Sequence, residues 1–304
     1  MPVIEVSDLT KSYGSLQAVR GVSFDVDKGE IFGMLGPNGA GKTTTVEIME
    51  GLRERDGGRV SVFGLDPSKS GSAIKARAGV QLQQVALYPR LRVREVICLF
   101  ASFYKRQANP DELISLLGLE DRRNARVGEL SGGQAQRLSV ALAVVNVPEL
   151  LFLDEPSTGM DPQARRNLWD VIRGFKADGM TIVITTHYME EAERLCDRVA
   201  VMDHGQIIAL DAPRGLVREH FEEDAIEFSS TGGVSISDLK GLASVSNATA
   251  QGFEYRLFST DVPSTMRDLL EFSTAKGLAI EGMGVRHATL EDVFLKLTGR
   301  ALRD

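Results

Sequence analysis

The amino-acid sequence predicts an α/β fold with a largely parallel sheet, which a small β-rich region precedes and a separate α+β unit follows. From Ile31 onward, short apolar runs alternate with stretches of helical periodicity, and this pattern is typical of strands that lie between helices in a parallel sheet. Ahead of Ile31, residues 3–6 and 19–26 alternate between apolar and polar side chains, with turn residues at 11–14. These two stretches therefore predict a pair of strands.

The chain is long enough for two domains. Of its 304 residues, 43% are hydrophobic and 25% are charged, which is close to the average of globular proteins. An acidic run at residues 219–224 is typical of a linker, and the pattern of predicted elements restarts after it. We therefore expect a large domain at residues 1–220 and a small one at 221–304.

Composition argues against membrane-spanning and nucleic-acid-binding roles. No run approaches the roughly 18 to 20 consecutive apolar residues of a transmembrane helix, and the N-terminal residues lack a basic region followed by an apolar core. We therefore expect a cytoplasmic protein. The net charge of -7 and the pI near 5.3 argue against a broad surface for nucleic acid. Cys98 and Cys196 are too few for a zinc site of their own and are expected to be buried thiols.

Residues 36–44 form the most specific motif. They match the phosphate-binding pattern G-x-x-x-x-G-K-[ST] at every fixed position and follow an apolar run at 31–35 that predicts a strand. Glycines let backbone amides approach phosphate oxygens, and a helix that begins near Lys42 directs its positive end toward them. Lys42 adds a full charge for the terminal phosphates, and Thr43 offers a hydroxyl to Mg²⁺. The residues of this predicted nucleotide site are Gly36, Pro37, Asn38, Gly39, Ala40, Gly41, Lys42, Thr43 and Thr44.

Two other core strands end in residues that suit phosphate chemistry. Asp154 and Glu155 follow an apolar run at 150–153, where two adjacent carboxylates are costly unless a cation or a reacting water uses them. We assign Asp154 to the metal and Glu155 to polarising the attacking water. His187 follows the strand predicted at 180–185. A lone histidine is usually structural, but this position makes His187 a candidate for the γ-phosphate.

Two further segments allow both a binding and a structural interpretation. Ser131 is the expected N-cap of a helix, so its hydroxyl and the first amides offer a second anion site, although the same residues suit an ordinary helix start. Tyr13 lies in the predicted turn, where its ring suits stacking on adenine or covering the edge of a small sheet. Asp161 and Pro162 predict another helix start, because a capping side chain precedes a proline at the first helical position.

The region at about 85–145 is predicted to be helical. Apolar periodicity supports helices at 93–103 and 111–117, and the helix that follows Ser131 completes the region. Three glutamines crowd at the end of the strand that precedes it, at Gln81, Gln83 and Gln84.

Beyond the acidic run, the order of predicted elements is βαββαβ with an added final helix. This order is that of the ferredoxin-like arrangement. The strands are predicted at 225–229, 243–247, 253–258 and 278–285, and the helices near 235–241, at 263–276 and from Thr289 onward. About 80 residues are marginal for independent stability. We therefore expect this unit to pack on the first domain or on a second copy.

Taken together in this order, the phosphate loop, Leu130-Ser131-Gly132-Gly133-Gln134, Asp154-Glu155 and His187 resemble the ATP-binding subunits of ABC transporters over roughly residues 1–215. The resemblance implies a phosphate-loop NTPase core. It also implies that Tyr13 stacks on adenine and that Gln83 links the metal to the transmembrane contact. The choice of Gln83 among the three glutamines rests on register with Leu87-Tyr88-Pro89. Small departures are Met160, where leucine is usual, and Ala135, where a basic residue is frequent.

The same resemblance implies an ATPase that uses ATP and Mg²⁺ and that works as a pair of copies. Two copies would close head to tail around two ATP molecules, with Asp161 in the loop that meets the opposite subunit. The residues that would reach the ATP of the second copy belong to the segment Ser131, Gly132, Gly133 and Gln134.

A separate transmembrane permease is the other implied partner, and it would hold the ATPase on the cytoplasmic face of the membrane. Residues 186–193 and 290–294 are similar to the branch that exports drugs and antibiotics, in which the ATPase carries a C-terminal domain. The alternative is a soluble ABC ATPase that acts without a permease. The single cassette and the lack of a coiled-coil insertion between Gly41 and Ser131 argue against most such proteins.

Overall fold

The computed structural model describes residues 2–81, 87–231 and 234–299, which belong to two compact units. The first unit ends at Pro213 and the second begins at Arg214. The domain boundary that the sequence analysis places after residue 220 stays a prediction.

Strands and helices alternate through most of the first unit. The strands are β1 (Pro2–Tyr13), β2 (Leu16–Asp27), β3 (Ile31–Leu35), β4 (Gly57–Val62), β5 (Ala78–Gln81), β6 (Leu150–Asp154), β7 (Thr181–Thr186), β8 (Arg198–Asp203) and β9 (Gln206–Asp211). The helices are α1 (Lys42–Met49), α2 (Pro67–Lys75), α3 (Val93–Ala101), α4 (Pro110–Leu116), α5 (Gly132–Ala143), α6 (Pro162–Ala177) and α7 (Met189–Leu195). Two 3₁₀ turns lie at Glu120–Arg122 and Val127–Glu129.

A six-stranded sheet in the order β5-β6-β7-β3-β8-β9 forms the centre of this unit. Its strands run parallel except for β9, which pairs with β8 as an antiparallel hairpin. Every residue of β3, β6 and β7 is buried, as expected of apolar strands that are covered on both faces. The predicted α/β fold is confirmed.

A three-stranded antiparallel sheet in the order β2-β1-β4 packs beside it. The rings of Phe24 on β2 and Phe32 on β3 stack at 5.1 Å between centroids, so the two sheets share one hydrophobic core. The predicted turn at 11–14 is wrong, because β1 continues to Tyr13 and the turn occupies only residues 14–15. Pairing with β2 keeps Lys11, Ser12 and Tyr13 in the strand and confines the turn to Gly14 and Ser15.

The sequence analysis missed α2, although the signal was present. Asp66 caps this helix by accepting from the amide of Ser68, and Pro67 occupies its first position, as Asp161 and Pro162 do in α6. Arg55 also holds Asp66 through two hydrogen bonds of 2.9 and 2.7 Å. The short helix lacks the long apolar periodicity by which the other helices were predicted.

The second unit is built on an antiparallel sheet. The elements that follow β9 are α8 (Pro213–His220), whose first residue ends the first unit, β10 (Asp224–Ser229), α9 (Ile236–Lys240), β11 (Val245–Gln251), β12 (Glu254–Ser259), α10 (Val262–Lys276), β13 (Glu281–Arg286) and α11 (Leu290–Thr298). The four strands lie in the order β11-β12-β10-β13. One face carries a core that includes Ile226, Phe228, Leu257 and Leu269.

Two details of the second unit differ from prediction. The acidic run is not wholly a linker, because α8 extends to His220 and β10 begins at Asp224. The second strand was predicted at 243–247 but lies at Val245–Gln251, where it pairs along the full length of β12. Cross-strand pairing, which the sequence does not display, decides the bounds of β10 and β11.

Within the described part of the chain, none of the helices has both the length and the apolar character needed to cross a membrane.

Candidate active site

Three neighbouring strands bring the predicted site residues together. The strand order places β3 next to β7 and β7 next to β6, and all three run parallel. The phosphate loop follows β3, Asp154 ends β6 and His187 follows β7. Because the carboxyl ends of parallel strands share one edge of a sheet, residues more than a hundred positions apart in the chain meet there.

The glycines of the phosphate loop have two different structural roles. A Cβ at Gly36 would lie 2.2 Å from the carbonyl oxygen of Met202, and one at Gly41 would lie 2.5 Å from that of Ala18. Gly39 has open space around it and adopts a φ of +82°, which is favourable for glycine. Gly36 and Gly41 are therefore required for close packing of the loop against the neighbouring strands β8 and β2. The same lack of a side chain suits approach to phosphate.

The amino end of α1 is open to an anion. Its N-cap is Gly41, so no side chain caps the helix, and its first amides keep their capacity to bind phosphate oxygens. Lys42 is buried and donates from Nζ to the carbonyl oxygens of Gly36 at 2.7 Å and Pro37 at 3.1 Å. Burial lowers the pKa of Lys42, and the Glu155 carboxylate, 3.8 Å away, opposes that shift.

Thr43 and Asp154 form an oxygen pair suited to Mg²⁺. The Thr43 hydroxyl lies 3.4 Å from Asp154 Oδ1, and the Thr185 hydroxyl donates to the same carboxylate oxygen. Burial raises the pKa of Asp154, whereas these two hydroxyls act to lower it. Mg²⁺ in proteins is commonly held by one or two carboxylates together with substrate phosphates. The donor set present here fits that ion.

Glu155 sits in a conformation that few residues other than glycine adopt. Its φ is +49°, which costs on the order of 1–3 kcal/mol, and its amide donates to the carbonyl and hydroxyl oxygens of Thr185, both at 3.1 Å. Its Oε2 lies 3.3 Å from His187 Nδ1 and accepts from Thr158 at 3.3 Å. The His187 imidazole is the largest influence that lowers the pKa of Glu155. An ionised carboxylate is therefore fixed at the edge of the site, as a general base requires.

Ser131, Gln134 and Asp161 make their described hydrogen bonds as helix caps. The Ser131 hydroxyl accepts from the Gln134 amide at 3.3 Å, and the Gln134 side chain accepts from the Ser131 amide at 3.0 Å. Asp161 caps α6 by accepting from the amides of Gln163 and Ala164. The predicted caps are confirmed. The roles of these residues toward a nucleotide stay predictions.

Of the two residues assigned by the family resemblance, the structure describes Tyr13 but not Gln83. Tyr13 is the last residue of β1, is 40% exposed and faces the guanidinium of Arg53 rather than another predicted site residue. Gln83 lies outside the described residues. Gln81, which ends β5, is buried.

Two polar residues near the site escaped the sequence analysis. Gln136 on α5 donates to the Glu155 carbonyl at 3.4 Å. Glu191 on α7 is fully buried and accepts from the indole of Trp169 at 2.9 Å, and its burial raises its pKa. The only sequence signal for Glu191 was its place on the inner face of the helix after His187.

Glu50 is a third residue of this kind. It follows α1, is 3% exposed, and burial raises its pKa to about 8. Asp154 and Glu47 act in the same direction, whereas Lys75 opposes them. Together with Phe100 on α3, Glu50 lines a cavity of about 270 Å³.

Known proteins resemble this chain over its whole length. A family model described as ABC transporter matches residues 19–158. The chain is 40% identical over 313 residues to the Nod factor export ATP-binding protein I of Burkholderia lata, which covers 100% of both chains. It is 33% identical over 311 residues to the linearmycin resistance ATP-binding protein LnrL of Bacillus subtilis, which covers 99% of this chain and 100% of that protein.

Solved structures resemble the larger part of this chain. One ATP-binding subunit of an ABC transporter gives a TM-score of 0.65 at 28% identity, and the match covers 72% of this chain and 93% of that chain. A dimeric ATP-binding cassette in a post-hydrolysis state, MJ0796 bound to ADP and Pi, gives a TM-score of 0.64 at 25% identity and covers 69% and 98% of the two chains.

Replacing Glu50 with Gln should remove a pH dependence of stability. The folded-state pKa of about 8 exceeds the ordinary value of 4.5, so between these values the folded chain keeps a proton that the unfolded chain has lost. The free energy of unfolding therefore falls as pH rises through this window, by at most about 1.4 kcal/mol per pH unit. Glu50→Gln should be more stable relative to wild type at pH 9 than at pH 5, as measured by thermal melting.

Glu149→Gln is the matched control, because Glu149 is half exposed and its pKa is lowered by Arg77. It should not reproduce the gain at high pH. A constant difference in melting temperature between Glu50→Gln and wild type from pH 5 to 9 would contradict the raised pKa.

Proposed function

This chain belongs to the ATP-binding subunits of ABC transporters, and from that premise we propose that it hydrolyses ATP to drive export of a substrate through a separate membrane permease. The observation that most supports ATP hydrolysis is that Lys42, Asp154 and Glu155 lie together at one edge of the sheet. Similarity along the full chain to two ATP-binding proteins named for export and for linearmycin resistance supports the exporter branch. The exported molecule would be a drug, an antibiotic or a compound of similar kind.

Different residues of this chain have different roles in the proposed hydrolysis. Lys42 and the first amides of α1 bind the phosphates, while Thr43 and Asp154 hold the Mg²⁺, with Gln83 as a further proposed ligand. When bound, Mg²⁺ neutralises charge that develops on the phosphates. Glu155 takes a proton from the water whose oxygen bonds to the γ-phosphorus as the bond to the ADP oxygen breaks. His187 holds the Glu155 carboxylate in place and would contact the γ-phosphate.

Two copies would complete each nucleotide site. Members of this family dimerise, as in the post-hydrolysis cassette dimer described above. In this chain Ser131 and Gly132 are exposed at the start of α5. The Ser131 hydroxyl and the amides of both residues can therefore contact the opposite copy. Asp161, exposed at the start of α6, is proposed to lie in the same interface. ATP would then join the two copies, and hydrolysis would release them.

We place the permease contact at the cavity that Glu50 and Phe100 line. The cavity wall includes Gly79 and Val80 of β5, and the proposed transmembrane link, Gln83, follows that strand. A cavity with an apolar aromatic wall and a buried carboxyl in its lining suits a protein segment with apolar side chains. Contact with the permease would keep the ATPase at the cytoplasmic face of the membrane.

The second unit is proposed to be a ferredoxin-like accessory domain. Its βαββαβ order and its strand order β11-β12-β10-β13 support that arrangement. Both curated relatives above match along their full length and so include this region.

Glu155→Gln should bind ATP but hydrolyse it about 10²- to 10⁴-fold more slowly, because an amide cannot accept the proton of the attacking water. With ATP and Mg²⁺ the variant should accumulate as a closed dimer. Sedimentation measures the dimer and phosphate release measures the rate.

Glu149→Gln serves as the matched control, since Glu149 lies just before the same strand β6 at its opposite end and should leave hydrolysis at the wild-type rate. Only monomer in the presence of ATP and Mg²⁺ would refute the proposed dimer.

Phe100→Asp should reduce recovery of the permease, because a charge in the apolar wall must be desolvated when a partner segment enters. The measurement is affinity purification of the chain from host membranes, followed by detection of any polytopic protein that accompanies it. The control is Leu116→Asp on α4, where Leu116 is already 48% exposed and lies outside the cavity.

The same purification separates the exporter from its alternative. Recovery of wild type only from the soluble fraction, with no polytopic partner, would favour an ABC ATPase that acts without a permease. Equal partner recovery with Phe100→Asp and wild type would move the contact away from this cavity.

A further inference from the structure

The ring of Tyr13 is tied to the helix of the phosphate loop. The guanidinium carbon of Arg53 lies 5.2 Å from the centre of the ring, within cation–π range. Arg53 Nε donates to the carboxylate of Glu47 on α1 at 2.5 Å, and the Arg53 amide donates to the Glu47 carbonyl at 3.2 Å. Arg53 is therefore held by both its backbone and its side chain while it faces Tyr13.

The loop that carries Arg53 is also attached to the end of β1. Gly51, with a φ of +69°, turns the chain after α1. Asp56 then accepts from the Ser12 amide at 2.6 Å and from Lys11 Nζ at 2.7 Å, and its own amide donates to the carbonyl of Thr10 at 3.0 Å. The strand end that bears Tyr13 and the loop that bears Arg53 thus form one connected structure.

We propose that Arg53 is a positioning residue for the purine base, which it serves by holding the Tyr13 ring as a preformed stacking surface. This inference rests on the proposed stacking of adenine on Tyr13. Lys11 Nζ also lies over the ring, 5.7 Å from its centre, but it is bound to Asp56, and an ammonium lacks the planar face by which a guanidinium stacks on a ring. Without Arg53, the ring can therefore distribute over three staggered χ1 wells, so its stacking-competent fraction falls to about one third. Apparent affinity scales with that fraction, and binding that depends on the base should weaken about threefold.

Calorimetric titration with ADP and with inorganic pyrophosphate, each with Mg²⁺, tests this directly. ADP carries the base and pyrophosphate does not, and both contact the phosphate loop. Arg53→Ala should raise the Kd for ADP about threefold and leave the Kd for pyrophosphate unchanged. In steady-state hydrolysis of ATP the same change should appear in KM rather than in kcat. Arg53→Lys should give an intermediate Kd for ADP, because the ammonium keeps the charge but loses the planar fork.

Arg77→Ala is the matched control. Arg77 also pairs with a glutamate, Glu149, and stacks on a ring, that of Phe63 at 3.8 Å. It precedes β5, at the edge of the sheet opposite the phosphate loop. Its removal should therefore change neither dissociation constant.

Tyr13→Ala, alone and combined with Arg53→Ala, completes the test. The inference predicts that Tyr13→Ala weakens ADP binding and that Arg53→Ala adds nothing in its background. It is overturned if Arg53→Ala weakens ADP and pyrophosphate equally, or if it weakens ADP as much without Tyr13 as with it. If Tyr13→Ala weakens ADP binding and Arg53→Ala does not, only the role of Arg53 fails. If Tyr13→Ala has no effect on ADP binding, the proposed stacking fails, and the role of Arg53 fails with it.

Discussion

Two adjacent carboxylates, Asp154 and Glu155, are buried at the end of a core strand, and the surrounding site compensates for their charge. Burial of such groups is costly unless they are paired or hydrogen-bonded. Lys42 is buried 3.8 Å from Glu155, and hydroxyls of Thr43 and Thr185 contact Asp154. The pKa of Asp154 is raised and that of Glu155 is lowered. Different surroundings thus move the pKa values of neighbouring carboxylates in opposite directions, which suits the proposed task of Asp154 toward a metal and that of Glu155 toward a proton.

Backbone packing sets the geometry in which these charges meet. Gly36 and Gly41 allow the phosphate loop to lie against the carbonyls of Met202 and Ala18, so the loop is fixed by strands on two sides. The same contact brings the β1–β2 hairpin next to the loop. Through Arg53 and Glu47, the ring at the end of β1 is further connected to α1. The proposed sites for phosphate and for the base therefore belong to one continuous piece of structure.

Two surface features suit contact with partner molecules: the exposed start of α5 and the cavity that Glu50 lines. Ser131 and Gly132 are exposed although their segment is a complete capping box, which suits contact with another molecule. The Glu50 cavity has a different character, with aromatic walls and a carboxyl whose pKa is raised by burial. An ATPase that receives part of its site from a second copy and transmits force to a permease needs both kinds of surface.

The sequence by itself determined the α/β class and the phosphate-loop motif, and it predicted roles for Asp154, Glu155 and His187, because these rest on local patterns and on the order of motifs. It also identified the caps at Ser131 and Asp161, since a cap is a contact between residues close in sequence. Only the tertiary structure decided that Tyr13 ends a strand beside Arg53, that Glu50 and Glu191 are buried carboxylates, and that packing requires Gly36 and Gly41. Each of these depends on contacts with distant parts of the chain or on burial in the assembled core. Local pattern carries neither kind of information, so the folded chain alone could supply it.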